Sequence, residues 1–155
     1  MSLYDQLFKD LFEHFFDDLL HLTVPWLADR VDQGGASFLR GEFHTDRPHG
    51  RRRTPDLVAR VASRGGPEET VLVHVEVEGR TRRSIGRRMW EYSMLLWLRH
   101  RRPVVPILVQ LRGGKEPGVV EETVRAELWG RELASFRYFA FYLARNEATA
   151  FVERP

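Results

Sequence analysis

Residues 54–80, TPDLVARVASRGGPEETVLVHVEVEGR, constrain the fold more than any other stretch of the chain. Val71, Val73, Val75 and Val77 alternate there with Leu72, His74, Glu76 and Glu78. Successive side chains on a strand point to opposite faces, and residues two apart share a face at a spacing of about 6.5–7 Å. The valines therefore form one apolar stripe, and Glu76 and Glu78 share the other face with His74. A second valine-bearing segment starts at Asp56, and the Gly65-Gly66-Pro67 turn separates the two. In the hairpin this predicts, Asp56 shares a face with Val58 and Arg60 and lies opposite Glu76 or Glu78. Two or three carboxylates then converge at one end of a sheet.

Carboxylates brought that close raise one another's pKa and oppose folding unless protons are shared or a cation neutralises them. The chain has no cysteine, which excludes disulfides, thiolate nucleophiles and zinc–thiolate sites and fits a reducing, cytoplasmic setting. Oxygen donors alone favour Mg²⁺, Mn²⁺ or Ca²⁺. The competing reading is a solvated hairpin end whose acids pair with Arg60, Arg80 or Arg82. The formal net charge is only +2 although the pI is about 9.3, because nearly all the cations are arginine, a planar and permanently charged phosphate binder. Such a balance permits a polyanionic partner without requiring one. The first segment carries Asp5, Lys9, Asp10 and Glu13 among its apolar residues, unlike a signal peptide, and no apolar run is long enough to cross a bilayer.

Elsewhere the pattern is mixed. Leu3, Leu7, Leu11, Phe15 and Leu19 recur every four residues, flanked by Phe8, Phe12 and Phe16, which predicts one amphipathic helix over residues 3–20 with Ser2 as its cap and Pro25 beyond its end. Residues 37–45, SFLRGEFHT, read as a first strand. A helical period returns over residues 81–102, with Ile85, Met89, Tyr92 and Leu96 in step, until Pro103 stops it. Residues 104–111 are almost wholly apolar, as in a buried strand. TVRAELWG and FRYFAFYLAR, residues 123–130 and 136–145, suit strands, and residues 146–153 a short helix. The Trp and Phe clusters read as core rather than as a base-stacking platform. The whole, residues 1–155, reads as a single α/β domain.

Pro55-Asp56, followed twenty residues later by Glu76-Val77-Glu78 after a valine strand, resembles the PD-(D/E)XK nuclease signature. DQLFKDLFEHFF, GEFHTDRPHGRRRTPDLVARV, HVEVEGR, RRMWEYSMLLW and RPVVPILVQLRGG occur in the order found in one branch of it. Over roughly residues 4–115 the chain resembles the Rpn-type recombination-promoting nuclease and putative transposase family. The resemblance implies a restriction-endonuclease-like core, a mixed central sheet flanked by helices, and metal-dependent hydrolysis of DNA. It implies Asp56 and Glu76 as ligands of Mg²⁺ or Mn²⁺, and Asp56, Glu76 and Glu78 as the catalytic set. The chain departs from the pattern at Glu78, where the superfamily has Lys and this branch often Gln. A glutamate there suits a general base or a further metal ligand. Glu42 and Lys9 are accessory candidates. Arg82, Arg83, Arg87 and Arg88 would hold the DNA backbone, which positions a duplex without reading its sequence. DNA is thus the expected partner, with no membrane and with room for a homodimer. The alternative is a catalytically inactive relative that binds nucleic acid or protein through the same fold.

Overall fold

The computed structural model describes residues 3–32, 34–39, 56–80, 82–114 and 116–145. The valine segment forms a thirteen-residue strand, β3 (Gly66–Glu78), that is the spine of a six-stranded sheet. β2 (Leu57–Ser63) pairs with it antiparallel, with Leu57 opposite Val75 and Val61 opposite Val71. The two-residue β1 (Ser37–Phe38) extends β2 at the edge. From the far end of β3 the chain crosses back through α4 (Ile85–His100) and enters β4 (Val104–Gln110), which lies parallel to β3. Parallel neighbours need such a crossover, because a tight turn can only reverse the chain. β5 (Val119–Leu128) and β6 (Arg131–Tyr142) form a long hairpin, of which β6 pairs parallel with β4. The strand order is β1-β2-β3-β4-β6-β5, so the domain is α/β with a mixed sheet, as the sequence predicts.

Both faces of the sheet are covered. On one side α2 (Phe16–Thr23) and α3 (Pro25–Ala28) pack Leu19, Leu20 and Leu27 on Ala59, Val73, Val75 and Ile107. On the other side α4 packs Met89 on Leu108 and Ala140, and Leu96 on Val58 and Leu72. Burial on both faces explains why β4 reads as a continuous apolar run rather than an alternating one. Pro106 sits in that run, but pairing with β6 begins only at Ile107. Pro106 therefore lies where β4 has a single neighbour, the setting in which a strand tolerates a missing N–H.

The N-terminal helix departs from expectation. It breaks at Phe15, between α1 (Leu3–His14) and α2. The break turns Phe16, Leu19 and Leu20 onto the sheet, while Leu7 stays 62% exposed and Leu11 and Phe15 are exposed too. The four-residue stripe is therefore not one core face. α4 ends on Arg101 in the left-handed region (φ 52), ahead of Pro103, a common way to close a helix. The tail strands are longer than the sequence suggests. β5 and β6 turn at Trp129 and Gly130, both with positive φ, the backbone that a tight two-residue hairpin turn needs. Trp129 is 95% exposed at that tip. The remainder of the predicted first strand and the predicted final helix lie outside the described residues. No described helix is long and apolar enough to cross a membrane.

Candidate functional site

The hairpin register decides where the acids meet. Leu57 pairs with Val75, so Asp56 is one step further out, level with Glu76. Its side chain continues the ladder where the strand ends: Oδ2 accepts the Val77 N–H at 2.8 Å, and the Asp56 N–H donates to Glu76 Oε1 at 3.2 Å. Glu76 and Glu78 point to the face that α4 covers. They are 2% and 6% exposed, so the hairpin end is not solvated, although the expected pairing of an acid with Arg82 is present. The cause is tertiary, since a strand face is wet or dry according to what lies on it.

α4 supplies the counter-charge. Its buried face runs through Ile85, Met89, Tyr92 and Leu96, and Arg88 stands at the edge of that face. Arg88 Nη2 contacts Glu76 Oε2 at 2.8 Å and also bonds Glu78 Oε1. Arg82 Nε is 3.4 Å from Glu78 Oε2. On the inner side His74, fully buried, has Nε2 at 3.0 Å from Glu76 Oε1, and its ring meets Tyr92 edge-on at 5.7 Å. An N–H on Nε2 would donate to the carboxylate, so this contact assigns the proton to that nitrogen. His74 thereby fixes one Glu76 oxygen while Arg88 fixes the other.

Three carboxylates thus share the half-buried guanidinium of Arg88 and the exposed one of Arg82, with the Lys9 ammonium acting on Asp56 as well. The shortfall shows at Asp56, whose carboxyl is pushed up to about 6, first by burial and then by the charge of Glu76. The Val77 N–H, Arg88 and Lys9 oppose the rise without cancelling it. Burial alone would pull the Arg88 guanidinium down, but Glu76 and Glu78 outweigh it and hold its pKa above the ordinary value. The cluster is held together by mutual need, and removing one partner of a buried ion pair generally costs about 3–5 kcal/mol.

Asp56, Glu76 and Glu78 are therefore brought together, as expected from their spacing. Lys9, half-buried on α1, faces Asp56 across a cavity of about 10 Å³ lined also by Phe8, Phe12 and Val77, about the size of one water. Glu42 lies outside the described residues, as do Arg51, Arg52 and Arg53. Of the four arginines assigned to DNA, Arg82, Arg83 and Arg87 are exposed, whereas Arg88 turns inward to the acids. The donor set suits a hard divalent ion in its chemistry, being all carboxylate oxygen. Among the described residues no group of three or more His, Asp or Glu is spaced as a ready-made metal site, and Arg88 engages one oxygen of Glu76 and one of Glu78. Sequence reasoning missed the residues that flank the cluster across β4, β5 and β6: Gln110, Glu122, Tyr138 and Tyr142. The only signal for Gln110 was a polar residue closing an apolar run. Compared with known proteins, the chain matches no family model, no curated protein and no solved structure.

Proposed function

We propose that this domain is a metal-dependent DNA endonuclease of the PD-(D/E)XK type. The observation that supports this reading best is the crowding of Asp56, Glu76 and Glu78, three carboxylates from adjacent strands joined through one half-buried guanidinium, with the Asp56 carboxyl pushed up to about 6. Asp56 and Glu76 are the residues that would hold Mg²⁺ or Mn²⁺. A bound divalent ion supplies an acidified water and a counter-charge for the phosphate. Glu78 accepts the proton of the attacking water, the role open to a carboxylate where the superfamily has lysine. Arg82, Arg83 and Arg87 hold the strand by its phosphates, and Arg88 keeps Glu76 and Glu78 in place.

The test is nicking of supercoiled plasmid in Mg²⁺ or Mn²⁺, with Asp56→Asn and Asp56→Ala beside the parent protein. Cleavage that needs both the metal and Asp56 supports the reading. Equal nicking by all three proteins, or none by any across metals, rejects it.

One observation favours a second reading, a nuclease-like domain that binds nucleic acid or protein without cutting. Arg88 satisfies Glu76 and Glu78 with no ion required. Calorimetric titration with Mn²⁺ separates the two. Heat of binding that disappears in Asp56→Asn supports the enzyme, and its absence in the parent protein supports the silent module.

A further inference from the structure

The outer surface of α4 carries apolar side chains that the fold leaves uncovered. Its inner face, through Met89, Tyr92 and Leu96, is packed on the sheet. On the opposite side Met94, Leu95, Trp97 and Leu98 are between 41% and 53% exposed. The sequence reading placed the tryptophans in the core; Trp97 lies outside it. Single exposed apolar residues are ordinary on a protein surface, but these four fall within two turns of one helix, and an exposed apolar patch marks an interaction site. A helix lying on a domain normally turns polar residues to that side.

The pattern along this surface says what covers it. Glu91, Met94, Leu98 and Arg101 follow one another at steps of three and four residues along its middle, the spacing of a helix–helix seam. Leu95 and Trp97 flank the seam on either side. The order is acid, apolar, apolar, base, so the seam is complementary to its own reverse. Two copies laid antiparallel, about a two-fold axis level with Leu96, bring Met94 against the second copy's Leu98 and Glu91 against the second copy's Arg101. Leu95 and Trp97 then each meet their own counterpart beside the axis. Parallel copies would oppose Glu91 to Glu91 and Arg101 to Arg101, and like charges so placed repel. Arg101 is already held beside the seam, with its guanidinium 4.7 Å from the centre of the Trp97 ring.

We infer that the outer face of α4 is the interface of a homodimer, built on an antiparallel pair of α4 helices related by a two-fold axis. A patch that is complementary to itself closes after two copies and leaves nothing for a third. The pairing keeps the carboxylate clusters apart. Arg88 lies toward the start of α4 and Leu96 toward its end, so at the helical rise the two copies of Arg88 stand about 24 Å apart along the helices. Arg83 and Arg87 lie beyond the end of the partner helix, so their place beside the acids stays open. The inference does not rest on the nuclease reading.

Sedimentation equilibrium over a concentration series tests it. The expected result is a reversible dimer of twice the 18.2 kDa of the chain. Leu98→Glu, which puts a charge in the seam without touching the core, should weaken that dimer by roughly tenfold or more and leave the circular dichroism unchanged. Glu91→Arg and Arg101→Glu should each weaken it, and the two together should restore it. Because the chain has no cysteine, Leu95→Cys supplies a single thiol beside the axis. A short bismaleimide should join two copies through that thiol and should not join Leu7→Cys, which is exposed on α1. A parent chain that stays monomeric overturns the inference, and its pelleting with anionic vesicles would assign the patch to a membrane surface instead. A dimer that survives Leu98→Glu, equal crosslinking at Leu7→Cys, or a mass that grows beyond two copies overturns it as well. If Leu98→Glu does not fold, the crosslinking comparison still decides the question.

Discussion

Replacing Asp56 with asparagine should make the domain more stable at neutral pH. The native carboxyl is held at about 6 against an ordinary 3.8, a gap that corresponds to about 3 kcal/mol. Between those two values the native state retains a proton that the unfolded chain has released, so stability falls as pH rises through the window. The favourable contribution is complete below pH 3.8 and lost above about pH 6. Asparagine has the same shape and no charge, and its amide oxygen can still accept the Val77 N–H that Asp56 Oδ2 accepts. The variant should therefore exceed the parent by up to about 3 kcal/mol at pH 8, a gain of roughly 6–12 °C in Tm for a domain of this size. At pH 4 the two should nearly coincide. Urea unfolding followed by tryptophan fluorescence at several pH values measures the difference, with an unchanged m-value as the check on the unfolded state. A variant less stable than the parent at pH 8, or a gap that does not vary with pH, would refute the electrostatic account. If the metal site exists, saturating Mn²⁺ should stabilise the parent and not the variant, and so narrow the gap.

Arg88→Met should destabilise the domain by about 3–5 kcal/mol at pH 7, because Glu76 and Glu78 stay buried without their shared guanidinium; chemical denaturation measures it. Gly86→Ala should lower stability by about 1–2 kcal/mol even though alanine favours a helix. A Cβ at Gly86 would lie 2.6 Å from Val124 Cγ2 on β5, and thermal melting tests this. Gly114→Ala should cost more than Gly118→Ala. Both glycines have positive φ, but a Cβ at Gly114 would lie 2.4 Å from the Tyr142 ring while Gly118 faces open space, so a difference of at least about 2 kcal/mol is expected. Equal melting temperatures for the two variants would contradict the packing of Tyr142.

Much of the central sheet was legible because its signals are local. Alternation over residues 71–78 marked β3, an apolar run marked β4, and the step of Ile85, Met89, Tyr92 and Leu96 marked α4. Alternation along the hairpin put Asp56 opposite Glu76 or Glu78, and the observed register, with its shift between Ala62 and Ser63, decided for Glu76. The break at Phe15 was not legible, because Leu7, Leu11 and Phe15 repeat at a helical period whether or not anything covers them. β5 was hard to read because it is an edge strand exposed over most of its length, so it carries no apolar stripe to announce it.

The chemistry of the site divides in the same way. Sequence alone determined which acids lie near one another, because strand periodicity and a tight turn fix neighbours along and across a hairpin. Only the tertiary structure decided that those acids are dry, that Arg88 bridges Glu76 and Glu78 while Arg82 reaches Glu78 alone, and that Tyr138 ends an aromatic stack packed under α4. Each of these depends on the height and phase at which α4 lies on the sheet. That placement is set by contacts between residues far apart in the chain, for which no local pattern exists.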